Sequence, residues 1–214
     1  MQSSLDPRAR FVLLWIAAEA WFPVLVALAT PWMLGSGKGV GTLQIAGLLS
    51  WPIALLSQWP LLRGRVDRAW LWPLAGVAAA VLYLIVFQST WGPMSRDLLP
   101  SPGGGLSGWI LYFIASGALV GLALALPQSV AVSHWRLGAP GWIIVVIGAS
   151  MAGAVVGGVL WHTSGGSEAG EGGPAAWTGI AGALVRHAVF GGIVGLYLWH
   201  RLAQRSVDAS GERP

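Results

Sequence analysis

The sequence predicts an all-α membrane protein built from six transmembrane helices. Three observations carry this expectation: six apolar stretches of bilayer-crossing length, a scarcity of charge, and tryptophan at most of the stretch ends. A spanning helix rises about 1.5 Å per residue, so about 20 residues cross a hydrocarbon core about 30 Å thick. Mean hydropathy is +0.68, and hydrophobic residues make up 55% of the 214. Charged residues are 9%, against roughly 25% in an ordinary soluble domain, too few to build a water-facing surface. Residues 1–214 are therefore expected to form a single polytopic domain, with no separate soluble catalytic unit.

The first stretch, 11–34, carries Glu19 and Pro23 and exceeds the apolar core of a signal peptide, which predicts a retained helix. The second, 43–62, contains Trp51 and Pro52 and runs out through Gln58-Trp59-Pro60-Leu61-Leu62-Arg63. The third, 69–90, opens on Ala69-Trp70-Leu71-Trp72-Pro73 and carries Ala75 and Ala79. The fourth, 108–132, holds Gly117, Gly121, Pro127 and Gln128. The fifth, 141–162, follows Pro140 and carries Ala149, Gly153 and Gly157. The sixth, 179–199, contains Arg186, His187, Gly191 and Gly195. The small residues recur at four-residue spacing, which lets spanning helices approach closely, and packing within the chain is the favoured use. Pro23, Pro52 and Pro127 each lack an amide donor and free the carbonyl four residues earlier, at Glu19, Leu48 and Ala123, so kinks are expected there.

Orientation follows from basic residues, which stay in cytoplasmic loops. With the N-terminus inside, the inner segments hold nine arginines (Arg8, Arg10, Arg63, Arg65, Arg68, Arg136, Arg201, Arg205 and Arg213), whereas the outer loops hold only Lys38 and Arg96. Both termini are therefore expected in the cytoplasm of a bacterial cell, with the chain in its inner membrane. Tryptophans fall at both interfaces: Trp59, Trp70, Trp72, Trp135, Trp142 and Trp199 at the inner one, and Trp32, Trp91, Trp109, Trp161 and Trp177 at the outer. Their expected role is to anchor helix ends among headgroups. Trp21 and Trp51 lie deeper and are candidates for contact with an apolar ligand.

The second and fourth stretches share a pattern that hydrophobicity alone does not require. Gly47 precedes Gln58 as Gly117 precedes Gln128, and Ala69 and Trp72 follow the first glutamine as Ala139 and Trp142 follow the second. The sixth repeats part of it, since Gly182-Ala183-Leu184-Val185 matches Gly117-Ala118-Leu119-Val120. The expectation is three parallel helical hairpins around an axis along the membrane normal, one formed by the sixth and first stretches. The segment from Gln58 to Arg63, with the aromatic start Ala69-Trp70-Leu71-Trp72, resembles the repeated Gln-Trp-x-x-Leu-Arg helix ends of uncharacterised six-span bacterial membrane proteins of cyanobacterial and Chloroflexi type. Gly191, Gly192 and Gly195 are similar to the glycine-rich final span of that group, whereas the second repeat departs from it with Ser129 and Ser133. The resemblance covers most of the chain and implies the six-span fold, with no activity attached.

Glu19 and Arg186 are the strongly ionisable residues well inside the stretches. A charge at bilayer depth costs at least about 2.5 kcal/mol on insertion scales, so such groups pair or face a polar cavity. Their backbone levels differ by about 6 to 9 Å, which an extended arginine covers. A structural ion pair is the leading expectation. The alternatives are a proton, cation or anion site that includes His187, and a snorkelling arginine beside a protonated glutamic acid. Gln58 and Gln128 occupy equivalent levels, where hydrogen bonding between helices is favoured over ligand binding. His134 and His200 share a level but adjoin tryptophan and arginine at an interface, which favours headgroup contact over haem ligation.

Several chemistries lack their residues. With no cysteine there is no thiolate nucleophile or cysteine metal site. Gly35-Ser36-Gly37-Lys38-Gly39 misses the phosphate-loop spacing and reads as a hinge. The single lysine lies in that loop, out of reach of a retinal. The stretches hold no carboxylate pair, Ser-His-Asp set or His-Glu-x-x-His helix, so no enzyme, cofactor or metal is expected. The high pI reflects loop arginines and implies no nucleic acid. The expected function is non-enzymatic: a membrane-embedded protein that contacts lipid and scaffolds other membrane subunits or holds an apolar ligand. The alternative is a small-molecule transporter. Size and span count are similar to the substrate-binding subunits of energy-coupling vitamin transporters, which would put Glu19 and Arg186 along the path.

Overall fold

The computed structural model describes residues 6–35, 39–86, 105–164 and 175–210. Among these the regular structure is helical: α1 (Pro7–Gly35), α2 (Gly39–Leu62), α3 (Leu71–Val86), α4 (Leu106–His134), α5 (Ala139–Thr163) and α6 (Ala175–Ser210). Every expected stretch seeds one helix. The expected residues 87–90 of the third lie outside the described residues, as do Lys38, Trp91 and Arg96, and α6 runs well past its expected end at 199. Helix extends from Pro7–Val26, Leu106–His134, Ala139–Thr163 and Ala181–Arg205 with the length and apolarity to cross a membrane, and Leu71–Ile85 is a shorter apolar helix.

The helices form a closed ring. Each packs on its neighbours in the sequence, and α6 returns to pack on α1, with no helix crossing the middle among the described residues. Small residues make the close approaches. A Cβ placed on Gly117 or Gly121 would stand 2.7 Å from the Met151 or Ile147 Cα of α5, and one on Gly157 would stand 2.5 Å from the Gly182 carbonyl of α6. Gly191 and Gly195 lie less tightly against Ile16 and Trp15 of α1, where a Cβ would stand 3.2 and 3.1 Å away. The four-residue stripes are thus used inside the chain. Outward, every helix exposes large apolar side chains, among them Leu25, Leu56, Val81, Val130, Ile144 and Leu196. A surface so continuously apolar suits lipid and not water.

One end of the ring carries the α2–α3 and α4–α5 turns. At the second, Arg136 has φ 56° and Gly138 φ 85°, and a Cβ on Gly138 would collide with the Arg201 guanidinium that packs over it. Cross-links tie this end together. Trp135 Nε1 donates to the Asp67 carbonyl (2.8 Å), Arg201 Nε donates to the Leu137 carbonyl (2.8 Å), and Arg65 lies over the rings of Phe11 (4.8 Å) and Trp199 (5.3 Å). The tryptophans here correct an expectation. Trp72, Trp135 and Trp142 are buried in the core, not set among headgroups, whereas Trp70 is half exposed. Trp15 joins them, and its ring stands 5.8 Å from Trp72, which stands 5.5 Å from Trp142 and 5.6 Å from Trp135. Three indoles from α1, α3 and α5 thereby fill the middle of the ring.

Candidate functional site

A polar group of side chains begins one turn of α1 beyond this indole layer, since Glu19 follows Trp15 by about 6 Å of helix rise. Glu19 is buried, with 4% of its surface exposed, as are Gln58, Gln128 and Ser150. Gln58 Nε2 donates to Glu19 Oε2 at 2.7 Å, and Trp72 Nε1 donates to Gln58 Oε1 at 2.8 Å. His187 Nδ1 lies 3.5 Å from Glu19 Oε1. A line of contacts therefore runs from the indole layer through an amide to a carboxylate and an imidazole, across α3, α2, α1 and α6.

The ion pair expected between Glu19 and Arg186 is not formed. Among the described residues the basic side chain beside the Glu19 carboxylate is His187. Arg186 instead lies within electrostatic reach of Tyr83 and Tyr112, on α3 and α4. The reason is angular: successive helix residues point about 100° apart, so turning His187 to α1 turns Arg186 across the ring. Close packing of α5 holds this register, because a Cβ on Gly153 would stand 2.6 Å from the Arg186 carbonyl oxygen.

Two small adjoining cavities, of about 30 and 10 Å³, lie among these groups and share Glu19, Trp51, Leu124 and Phe190 on their walls. The first is also bordered by Arg186, His187 and Ser150, and the second by Gln58, Gln128, Trp15 and Trp72. Polar atoms around them lack hydrogen-bond partners: His187 Nδ1 by the first, and Gln128 Oε1 and Trp15 Nε1 by the second. The fourteen-residue link between Gln58 and Trp72 has an unmade counterpart, because Gln128 Oε1 and Trp142 Nε1, at the same separation, are both unpartnered. Buried polar atoms without partners cost stability unless water or a ligand meets them.

Of the residues singled out in the sequence, Glu19, Arg186, His187, Gln58, Gln128 and Trp51 border this space, and Trp51 packs edge-on to Tyr83 at 4.6 Å. Trp21 does not. It is exposed and donates to Ser57 Oγ at 2.9 Å. His134 is exposed, and His200 Nε2 contacts Gln204 Nε2 at 2.9 Å, so the two histidines are used separately. Among the described residues no three His, Cys, Asp or Glu side chains converge on a metal position. Sequence reasoning missed Ser150, Tyr83 and Tyr112. A depth count offered a signal for one, because Tyr83 stands seven residues before the end of the third stretch at 90 and Arg186 seven after the start of the sixth at 179. Comparison with known protein families, curated proteins and solved structures finds no match to this chain.

Proposed function

We propose that the chain is a six-span protein of a bacterial cytoplasmic membrane that holds a small polar solute in the interior of its helical ring, in the manner of a transporter or of its substrate-binding subunit. Both termini are cytoplasmic in this reading, following the arginine bias. The three hairpins α2–α3, α4–α5 and α6–α1 are repeats about an axis along the membrane normal, a reading supported by the α6–α1 closure and by the like placement of Trp15, Trp72 and Trp142.

One observation carries the functional reading. Glu19 and Arg186, on neighbouring helices, border the same cavity without pairing with each other. An apolar ligand would strip water from both groups and give nothing back, whereas a polar one also meets His187 Nδ1, which borders the same cavity without a hydrogen-bond partner. This favours the transport class over the apolar-ligand expectation. The scaffold reading draws on the apolar exterior of all six helices, which accepts partner helices as readily as lipid.

A thermal-shift screen of the full chain in mild detergent tests the proposal. Small carboxylates, amines, zwitterions and neutral polar solutes are compared with decanoate and a short-chain quinone. The expected result is a rise in the unfolding midpoint with a polar solute, lost in Glu19→Gln. A rise confined to decanoate or the quinone, or none at all, rejects it. Uptake of the labelled solute into proteoliposomes then separates transport from holding.

A further inference from the structure

We infer that Glu19 and His187 form a hydrated binding site for a single proton, whose place is set by Trp72 acting through Gln58. The site takes its proton from an aqueous phase and returns it there, and it needs no carried solute. Donor and acceptor rules fix the proton's position. An indole N–H only donates, so the 2.8 Å contact from Trp72 Nε1 makes Gln58 Oε1 the acceptor. The amide is thereby turned with its NH₂ toward Glu19, where Nε2 donates to Oε2 at 2.7 Å. A proton on Oε2 would confront a group that can only donate. The exchangeable proton of the carboxyl therefore belongs on Oε1, and the group beside Oε1 is His187 Nδ1 at 3.5 Å.

Water completes the pair. At 3.5 Å the two atoms stand beyond a good N–H···O distance, about 2.7 to 3.2 Å, and Nδ1 has no hydrogen-bond partner. The first cavity borders both side chains together with Ser150 and Arg186, so polar groups surround it. Its volume of about 30 Å³ admits water, which needs about 10 to 15 Å³ and two to four polar partners. The second cavity gives an independent observation. At about 10 Å³ it meets the lower limit for one water, and Glu19 borders it too. Gln128 and Trp15, with 3% and 0% of their surface exposed, bring it an unpartnered acceptor, Oε1, and an unpartnered donor, Nε1.

The surrounding charge limits the capacity to one proton. The charged group facing the pair is Arg186 of α6, which lies within electrostatic reach of Tyr83 on α3 and Tyr112 on α4. Helices α2, α4 and α5 bring Gln58, Gln128 and Ser150 to the cavities, and none of these titrates. A second proton would set an imidazolium beside Arg186 with the acid neutral. Two cations would then share the cavity wall at bilayer depth with no anion among the lining residues.

The test follows the full chain in lipid nanodiscs, isotopically labelled at histidine and titrated from about pH 9 to about pH 4. His187→Gln identifies the His187 ring signals, and Glu19→Gln identifies the carboxyl and carboxylate bands of Glu19 in infrared difference spectra. Water-edited NMR is expected to show magnetisation passing from water to the His187 ring. In Glu19→Gln the pH at which that ring titrates should move by at least about one unit, the threshold for coupled sites, while His134 and His200 stay unchanged. Trp72→Phe, which releases the Gln58 amide, should displace the Glu19 bands, and Trp142→Phe, whose lost N–H has no partner, should leave them in place. Size-exclusion profiles identify any variant that fails to fold, and the water measurement is made on the unaltered chain. A His187 ring that titrates alike with and without Glu19, or that receives nothing from water, overturns the site. Glu19 bands indifferent to Trp72→Phe overturn the positioning role of Trp72. These outcomes are independent of the solute screen, which decides the polar-solute reading alone.

Discussion

The turn end of the ring and its middle are built from the same helices but solve opposite problems. At the turn end, Trp15, Trp72, Trp135 and Trp142 fill the interior with rings, and arginines tie the turns across the outside. One helical turn away the interior holds a carboxylate, a guanidinium, an imidazole and two amides around two small cavities. Large rigid side chains close a ring. Polar groups short of partners leave the packing incomplete, with His187 Nδ1 and Gln128 Oε1 unmatched beside the small cavities. The two levels are joined by the Trp72–Gln58–Glu19 line.

This division can be broken at several points. The largest loss is expected from Trp72→Ala, which empties the centre of the indole layer and costs about 3 to 5 kcal/mol, read as a lower unfolding midpoint in detergent. Gly157→Leu follows, since a side chain there forces α5 from α6 beside Arg186; the expected cost is about 1 to 3 kcal/mol, read by the same midpoint. A sharper comparison pairs Trp72→Phe with Trp142→Phe. Both shrink the layer equally, but the first also strands Gln58 Oε1, whereas the second removes an N–H that already lacks a partner. Trp72→Phe should be the more destabilising by about 1 to 3 kcal/mol, and equal midpoints would show that the hydrogen bond contributes nothing. The smallest effect is expected from Val130→Ala on the outer face, within about 0.5 kcal/mol by the same midpoint, because no protein atoms pack against that side chain's exposed surface.

The helices were legible because length and apolarity are one-dimensional properties. The stretches at 11–34 and 108–132 differ by a few residues from Pro7–Gly35 and Leu106–His134. Depth was legible in part: it brings Glu19 within side-chain reach of the level of Arg186 and His187, but it gives no sign of the Gln58–Glu19 hydrogen bond. Azimuth was not. These helices are apolar on nearly every face, so hydropathy carries little signal for which side turns inward. Trp72, Trp135 and Trp142 were therefore placed at the correct end but facing lipid, and Arg186 was given the partner that the residue beside it takes. The glycine stripes held the missing directional information. Gly153 and Gly157 mark where α5 touches the Arg186 backbone, and they thereby fix where its side chain emerges.

Closure between the first helix and the last has a consequence for biogenesis. A ribosome feeding this chain into a membrane releases the helix bearing Glu19 well before the helix bearing His187, with four helices between them. Gln58, on the very next helix, arrives early enough to escort the carboxylate meanwhile. The seam of the ring stays unsealed until α6 follows, so the contact between Glu19 and His187 is made late in assembly.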